Sequence, residues 1–392
     1  MIERESEKAN DGEYVMKKKS FALLAAAVLL LSGSTLAAFA DNNSQDSNKT
    51  DVNTNTEDKS ALNEKSQNTQ QREFKSDQPN YSNNREQILE YGMEPVVVQP
   101  SRLDSGALVQ PGKAGLYTGT ADTTNIVYQL GAPIMTGPIK IAEIWYGSWS
   151  STSTSVPAAK AYQTFTNNFL TAAVAPGEHW AINKLNYQAA KATPTAKTYV
   201  GDYSTVIDQR VVATNATKYK SPLSQSTIYN LVKDTYFGNG KADANTIYVV
   251  LTSSEIKVTG FGTSFCGWHS YNATSLAKYS FVGDPATTPG CLPQSVGPNL
   301  AGADAMLSVL MHELEEAATD PQLNAWYSAN GNENADKCAW TWGATTVNPT
   351  NGSYSNMSLG GKNYLIQQNF KLNSLFTSSS KTHTWTGSCA LR

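Results

Sequence analysis

The stretch on which the fold depends reads Asn299-Leu-Ala-Gly-Ala-Asp-Ala-Met-Leu-Ser-Val-Leu-Met-His-Glu-Leu-Glu-Glu-Ala-Ala-Thr-Asp-Pro321. Its apolar residues recur every three or four positions, which predicts a helix with one buried face. Asn299 is a suitable N-cap, and Pro321 ends the helix at Asp320 because proline disfavours helical geometry in the residue before it. The residues of the predicted buried face are Leu300, Ala303, Leu307, Leu310, Leu314 and Ala318.

This helix carries histidine and glutamate in a pattern typical of metal sites. His312 and Glu316 are four residues apart, so both side chains lie on one face of the helix, with Glu313 beside them. If histidine replaced Glu316, the pattern would be the His-Glu-x-x-His helix of zinc metallopeptidases. The sequence therefore predicts a zincin-like metal helix, with His312 and Glu316 as ligands and Glu313 as the catalytic general base.

The last two turns of the helix are strongly acidic. The carboxylates of Glu313, Glu315, Glu316 and Asp320 crowd the helix end at which the helix dipole disfavours anions. The first basic residue after the helix is Lys337, so a divalent metal is a simple source of the missing positive charge. The alternative is a solvated acidic face that tolerates the repulsion between its carboxylates.

A second acidic cluster follows the helix. Glu333 lies seventeen residues beyond Glu316, and Asp336 comes three residues later. In one class of zinc peptidases, a glutamate at a comparable distance is the third ligand, and a nearby aspartate supports the first histidine. We therefore expect Glu333 as the third metal ligand, with Asp320 as its rival, and Asp336 in the supporting position. His269, at the end of a glycine-rich loop, is a second supporting candidate.

The motifs leave three functional hypotheses open. The first is a peptidase that uses Zn²⁺, although an oxygen-rich ligand set also suits a harder divalent ion such as Mn²⁺ or Ca²⁺. The second is a non-catalytic extracellular or cell-wall protein that binds polysaccharide through exposed aromatic side chains. The third is a purely structural metal ion. The candidate aromatic side chains are Trp326, Tyr327, Trp340 and Trp342, and the isolated His179 and His383 are interpreted as surface or structural residues.

The first 40 residues have the pattern of an export signal. A basic segment, Met16–Ser20, precedes the apolar run Phe21–Leu31, and Ala38–Ala40 fits a signal-peptidase site. Residues 1–15 are interpreted as an over-extended start, and residues 1–40 are expected to be removed by cleavage after Ala40. The apolar run is too short to span a bilayer stably. We therefore expect a secreted, extracellular protein that has no membrane partner in its mature form.

The rest of the chain divides into a polar segment and a folded domain. Residues 41–127 are rich in Asn, Ser, Gln, Asp and Thr, especially up to residue 85, and are expected to form a disordered, low-complexity lead-in. In residues 128–392, strand and helix patterns alternate, which predicts an α/β domain with a mixed, mostly parallel sheet and helices packed on it. The predicted strands are 139–146, 180–187, 204–212, 245–252 and 278–282, and the predicted helices are 157–172, 221–237 and 299–320.

Cysteine content and net charge narrow the function further. All four cysteines lie in the folded domain, and export predicts an oxidising compartment in which disulfides form. Their spacing suggests the pairs Cys266–Cys291 and Cys338–Cys389, while the sequence alone leaves all three pairings open. The net charge is −3, so nothing in the composition calls for a nucleic-acid partner.

Six motifs follow one another through the folded domain. They read Gly137-Pro-Ile-Lys-Ile-Ala-Glu-Ile-Trp-Tyr-Gly147, Ile247-Tyr-Val-Val-Leu-Thr252, Gly260-Phe-Gly-Thr-Ser-Phe-Cys-Gly-Trp-His269, Phe281-Val-Gly283, Tyr354-Ser-Asn-Met357 and Gly361-Lys-Asn-Tyr-Leu365. In their order and spacing they resemble the EXORDIUM, or phosphate-induced, protein family across nearly the whole domain. The resemblance implies an extracellular protein, since plant members are cell-wall or apoplastic proteins associated with growth and cell expansion. It implies no settled biochemical activity.

Overall fold

The computed structural model describes the folded part of the chain, namely residues 93–97, 115–149, 156–203, 208–215, 217–299 and 302–392. All of these residues belong to one compact unit, Gln71–Arg392. The predicted signal peptide and most of the predicted lead-in, 41–127, lie outside the described residues, as does Leu300 of the predicted helix face. In the described part, no helix is long and apolar enough to cross a membrane.

The described chain is a mixed α/β protein, which confirms the class predicted from the alternating pattern. The strands are β1 (Met93–Val97), β2 (Ile126–Gln129), β3 (Lys140–Tyr146), β4 (Tyr187–Ala190), β5 (Thr193–Tyr199), β6 (Asp208–Val212), β7 (Thr246–Thr252), β8 (Phe265–Asn272), β9 (Ala277–Gly283), β10 (Trp326–Ser328), β11 (Thr346–Val347), β12 (Tyr354–Ser355), β13 (Met357–Leu359), β14 (Lys362–Tyr364), β15 (Asn369–Ser378) and β16 (Thr382–Ala390). The helices are α1 (Val156–Ala173), α2 (Gln225–Tyr236) and α3 (Ala303–Thr319), with 3-10 turns at His179–Leu185, Pro285–Thr287, Pro289–Cys291 and Asp336–Cys338.

A six-stranded sheet forms the centre of the fold, in the order β1-β8-β9-β7-β3-β6. Strands β9, β7, β3 and β6 are parallel, whereas β8 pairs antiparallel with β9 and with β1. The strand pairs of the other described sheets are antiparallel. Parallel pairing between named strands is therefore limited to one side of this sheet, from β9 to the edge strand β6. Every residue of β7 is buried, as expected for a strand whose two faces are both covered.

Helices cover both faces of this sheet. On one face, Trp145 of β3 lies in the same apolar cluster as Phe169 of α1 and Leu310 of α3. On the other face, Ile144 of β3 shares a cluster with Leu231 of α2. The alternation of side chains along a strand sends neighbouring residues to opposite faces, so β3 contributes to both clusters. Helix α3 is packed against β8 and β9, which places it over the antiparallel half of the sheet.

A second sheet, in the order β10-β2-β16-β15, is built mainly from the end of the chain. The disulfide Cys338–Cys389 joins β16 to the 3-10 turn that follows α3 and β10. The disulfide Cys266–Cys291 joins β8 to the turn at Pro289–Cys291. Both pairings suggested by the cysteine spacing are therefore confirmed.

The start of α3 differs from the prediction. The N-cap is Gly302 instead of Asn299. Gly302 has a φ of +74°, and a Cβ added to it would lie 2.2 Å from Asp284 Oδ1, so this tight turn requires glycine. The backbone N–H and the side-chain amide of Asn299 instead donate to the carboxylate of Asp304 in the first turn.

Two further elements were predicted wrongly. Residues 180–187 were expected to form a strand, but His179–Leu185 is a 3-10 helix and the strand begins only at Tyr187. The alternating Trp180 and Ile182 are both buried in this turn, so the period-two pattern did not distinguish the two structures. The segment ending at His269 was expected to be a loop, but it belongs to β8.

Candidate metal centre

Helix α3 is buried along its whole length. The prediction of a solvated acidic face is therefore wrong, because Glu313, Glu315, Glu316 and the C-cap Asp320 are all buried. The described ion pairs of Glu313, Glu315 and Glu316 are all with histidines. The charged groups that face Glu313 and Glu316 are histidines, and this arrangement defines the candidate centre.

His269 projects from β8 into the carboxylates of α3. Its Nδ1 lies 3.4 Å from Glu313 Oε2 and 3.6 Å from Glu316 Oε2, and its Nε2 lies 3.7 Å from Glu333 Oε2. Gly267, two residues earlier, permits this approach. A Cβ on Gly267 would lie 2.6 Å from a methyl group of Val309 and 2.8 Å from Glu313 Oε1.

His312 lies on the other side of Glu316. Its Nε2 is 2.9 Å from Glu316 Oε1 and 3.4 Å from Asp336 Oδ1. Its Nδ1 is 2.9 Å from the side-chain nitrogen of Gln367. The backbone N–H of Asp336 also donates to Glu316 Oε1, at 2.9 Å. One oxygen of Glu316 therefore faces His312 and the other faces His269.

The geometry of these side chains fits a divalent metal ion. Two overlapping groups have their donor atoms within 4.8 Å of one another: His269, Glu313 and Glu316, and His312, Glu316 and Asp336. In a tetrahedral zinc site with bonds of about 2 Å, donor atoms are about 3.3 Å apart. The histidine-to-carboxylate distances, from 2.9 to 3.6 Å, are close to that value.

Unsatisfied polar atoms support the same interpretation. Three buried carboxylate oxygens of α3 have no hydrogen-bond partner in the described chain. They are both oxygens of Glu313 and Oε2 of Glu316. A buried carboxylate without a partner is costly, since it has lost its hydration without compensation. A cation between these oxygens would supply the missing interaction.

The protonation equilibria of the cluster are strongly displaced from their ordinary ranges. Burial raises the pKa of Glu313 to about 8, despite the opposing effect of the histidines. Burial also acts to raise the pKa of Glu316, but His312 and His269 override it and lower that pKa to about 2. Burial opposes the charging of His269, yet the two glutamates raise its pKa to about 9. Such displaced values are common at functional sites.

The rival third ligand, Asp320, lies apart from both groups. Its Oδ1 accepts from the backbone N–H groups of Asn324, at 2.5 Å, and Ala325, at 2.7 Å. It thereby closes the turn that follows α3. Glu333 and Asp336 are both brought to the cluster, Glu333 beside His269 and Asp336 beside His312.

A separate buried pair lies behind the helix. Glu315 Oε1 is 3.2 Å from His179 Nε2 and accepts from Asn183. His179 Nδ1 is 2.6 Å from the carbonyl oxygen of Leu391, near the end of the chain. Burial lowers the pKa of His179 to about 4. His383 is also buried, and its Nδ1 contacts the hydroxyl of Tyr187 at 2.6 Å. Both histidines are therefore buried structural residues.

The candidate aromatic side chains and the described cavity both lie apart from the surface that a glycan-binding or open active site would need. Trp326, Trp340 and Trp342 are buried and Tyr327 is half-buried, so these rings form core contacts instead of a glycan-binding surface. A cavity of about 60 Å³ lies at the start of α3, lined partly by Gln294. None of the histidines or glutamates of the cluster lines this cavity.

Two residues of the centre escaped the sequence analysis. Gln367 has no motif around it, and only the tertiary fold brings it to His312. Gly267 lies in a glycine-rich segment that the sequence predicts to be a loop, although it belongs to strand β8. Glycine inside a strand often marks a close approach of another element, but this signal can be recognised only once the strand is known.

Comparison with known proteins assigns the family. A family model described as the phosphate-induced protein 1 conserved region matches residues 126–379. Protein EXORDIUM-like 5 of Arabidopsis thaliana is 25% identical over 301 residues, which cover 64% of this chain and 76% of the relative. Protein EXORDIUM of the same plant is 27% identical over 291 residues, and the match covers 61% of this chain and 84% of the relative. Protein PHOSPHATE-INDUCED 1 of Nicotiana tabacum is 25% identical over 274 residues, and the match covers 61% of this chain and 83% of the relative. No solved structure is significantly similar to this chain.

The fold and the cluster together define an α/β protein with a buried histidine–carboxylate centre on one helix. The family match covers more than half of the chain and includes α3 and the acidic segment after it. The chain therefore belongs to the EXORDIUM/phosphate-induced protein family, which confirms the resemblance seen in its motifs.

Proposed function

We propose that this chain is an exported EXORDIUM-family protein that binds one divalent metal ion, preferably Zn²⁺, in the buried cluster on α3. The observation that carries the proposal is the convergence of His269, His312, Glu313 and Glu316 with carboxylate oxygens that have no other partner. Two disulfides are consistent with an oxidising, extracellular location.

The electrostatic balance of the cluster favours a cation. Glu313, Glu316, Glu333 and Asp336 place four carboxylates within one buried region, where unpaired charge is costly. The basic residue nearest in sequence, Lys337, pairs with Asp122 at 3.2 Å and donates to Thr124. Histidine nitrogens favour Zn²⁺, while the number of oxygens also allows Mn²⁺ or Ca²⁺.

A structural role for the ion follows from its surroundings. The cluster joins β8, α3 and the segment Glu333–Asp336, which are far apart in sequence. An ion bound there would hold the three segments together, and at 100 times its dissociation constant it would add about 2.7 kcal/mol to the free energy of unfolding. The burial of the donor set favours this role, because a structural site has no need of substrate access.

A zinc-dependent peptidase is the second candidate. Two features favour a peptidase. The helix carries His312, Glu313 and Glu316 in the order of a metallopeptidase helix, and Glu333 lies beside the cluster. In such enzymes the bound zinc ion polarises the scissile carbonyl, and Glu313 would take a proton from the attacking water at its carboxylate. This candidate requires an opening of the structure that admits a peptide to the buried Glu313.

Elemental analysis of the exported chain, after incubation with Zn²⁺ and dialysis, tests metal binding. We expect about one ion per chain in the wild type and loss of that ion in Glu316→Gln, since Glu316 belongs to both donor groups. Glu315→Gln is the matched control, because Glu315 is equally buried on the same helix but belongs to neither group.

The same preparations distinguish the two candidate functions. Chelator-sensitive cleavage of an unfolded protein such as casein would support the peptidase, whereas a metal-loaded but inactive chain would support the structural role. A wild-type chain that retains no ion, or a Glu316→Gln variant that retains as much as the wild type, would contradict the proposed function.

A further inference from the structure

The orientation of one buried amide decides which histidine can bind the ion. The side-chain oxygen of Gln367 accepts from the backbone N–H of Trp340 at 2.9 Å, and its nitrogen donates to the carbonyl oxygen of Ala335 at 2.9 Å. Both partners are backbone groups, so neither can exchange the roles of donor and acceptor. Rotating the amide by 180° would set oxygen against oxygen and N–H against N–H. The Gln367 amide therefore has one permitted orientation.

This orientation fixes the tautomer of His312. The second N–H of the Gln367 amide points to His312 Nδ1, 2.9 Å away, so Nδ1 must be the acceptor. The neutral ring then carries its proton on Nε2, which lies 2.9 Å from Glu316 Oε1 without forming a well-aligned hydrogen bond. A ring in this state has no free lone pair directed at the cluster. Coordination through Nε2 would move the proton to Nδ1, directly against the amide N–H.

His269 has the opposite surroundings. Its Nδ1 faces the carboxylate oxygens of Glu313 and Glu316, and its Nε2 faces Glu333. Metal-binding histidines commonly coordinate through one nitrogen and donate the other N–H to a carboxylate. His269 Nε2 lies 3.7 Å from Glu333 Oε2, so this carboxylate is beside the nitrogen that remains when Nδ1 coordinates. Neither His269 Nδ1 nor His312 Nε2 has a hydrogen-bond partner in the described chain. The two rings differ at their other nitrogen, because the Gln367 amide occupies His312 Nδ1.

Glu316 shows the same division between its two oxygens. Oε1 accepts from the backbone N–H of Asp336 at 2.9 Å and lies 2.9 Å from His312 Nε2. Oε2 has no hydrogen-bond partner in the described chain and points towards His269. The contacts of Oε1 orient the carboxylate and leave Oε2 available for the ion.

We infer that the ion is bound by His269 Nδ1, Glu313 and Glu316 Oε2, with His312 and Gln367 as positioning residues. The nitrogen ligand then comes from strand β8, and the histidine of the His-Glu-x-x-Glu helix forms an ion pair with a ligand. Glu313 is a ligand in this arrangement and is unavailable as a general base. The inference rests on the proposed function, because it assigns the ligands of that same ion.

Two glutamine substitutions compare the histidines directly. His269→Gln removes the nitrogen ligand, so we expect loss of stoichiometric Zn²⁺ binding and an affinity reduced by more than about 100-fold. His312→Gln keeps an N–H donor on the helix, so we expect about one ion per chain and an affinity reduced by about 10–100-fold. Isothermal titration with Zn²⁺ and elemental analysis measure both quantities.

Nitrogen NMR of the isotope-labelled, Cd²⁺-loaded wild type tests the assignment without a mutation. We expect scalar coupling of the cadmium nucleus to His269 Nδ1, and the chemical shifts of an unprotonated Nδ1 and a protonated Nε2 for His312. Coupling to His312 Nε2 would overturn the inference and leave the proposed function intact. The same holds if His269→Gln retains the ion and His312→Gln loses it. If the wild type binds neither ion, the proposed function itself fails.

Discussion

Burial determines the charge of individual carboxylates in this chain, and Glu143 shows the effect away from the candidate metal centre. Its side chain is fully buried in β3, where the Trp145 indole donates to Oε2 at 2.8 Å and the Gln209 amide at 2.6 Å. Oε1 has no hydrogen-bond partner in the described chain. Burial raises the pKa of Glu143 to about 7, against the opposing effect of the two donors.

The displaced pKa of Glu143 predicts that the protein loses stability as the pH rises. Between pH 4.5, the ordinary pKa of a glutamate, and about pH 7, the folded state holds a proton that the unfolded state has released. The free energy of unfolding therefore falls with pH across this window, by at most about 3 kcal/mol. We expect Glu143→Gln to remove this slope and to be the more stable protein above pH 7.

Urea unfolding from about pH 4.5 to pH 8, in the presence of chelator, measures the contribution of Glu143. Asp202→Asn is the control, because Asp202 forms an exposed pair with Lys184 that contributes little to stability. An unchanged pH slope in Glu143→Gln would show that Glu143 is ionised in the folded protein.

The residues of the candidate metal centre were partly predictable. His312, Glu313 and Glu316 could be identified because helical spacing places them on one face, and Glu333 and Asp336 because of their distance from the helix. The direction of each hydrogen bond could not be predicted, since it depends on the Gln367 amide and on backbone groups near Ala335 and Trp340. The roles expected of His312 and His269 depend on these bonds.

At the scale of elements, the centre depends on the close packing of α3 against β8. The contact occurs at Gly267, whose missing side chain leaves room for Val309 and Glu313. The helix itself was predicted from its apolar period and its following proline, and it ends at Thr319, close to the expected end. Strand β8 was missed because glycines in a polar segment usually indicate a loop. Tertiary packing outweighed that local signal.

The glycine contact predicts that Gly267→Ala separates the helix from the strand. The added Cβ would lie 2.6 Å from Val309 and 3.0 Å from the carbonyl oxygen of Phe281, so these elements must shift. We expect a loss of about 1–3 kcal/mol in the free energy of unfolding, together with at least a tenfold loss of Zn²⁺ affinity. Gly115→Ala is the matched control, since a Cβ there meets nothing within 4 Å. Wild-type Zn²⁺ affinity in Gly267→Ala would contradict this account of the packing.

At the scale of the whole molecule, the centre collects segments from distant parts of the chain. His269 comes from the central sheet, Glu316 from α3, Glu333 from the segment after β10, and Gln367 from the approach to β15. The sequence pattern predicts the α/β class and several individual elements. It does not predict how distant strands pair, because this depends on sheet order and on the C-terminal sheet, which has no clear sequence signal. The disulfides were a long-range constraint that the sequence suggested correctly.

Each disulfide holds a segment that carries part of the centre. Cys266 lies three residues before His269, and Cys338 lies two residues after Asp336. The ring closed by Cys338–Cys389 spans 51 residues and that closed by Cys266–Cys291 spans 25. A ring of twice the length restricts the unfolded chain by about 0.6 kcal/mol more. The Cys338–Cys389 bond therefore contributes slightly more through chain entropy alone.

Removal of the Cys338–Cys389 bond is expected to weaken both stability and metal binding. In the double variant Cys338→Ala/Cys389→Ala, we expect the free energy of unfolding measured with chelator to fall by about 2–5 kcal/mol. The turn Asp336–Cys338 would also lose its attachment to β16, so the N–H of Asp336 would orient Glu316 less well and Zn²⁺ affinity would fall. Chemical unfolding and Zn²⁺ titration at a temperature where the variant is folded separate these effects. Reduced stability with unchanged Zn²⁺ affinity would mean that α3 and β8 fix the donor geometry without help from the disulfide.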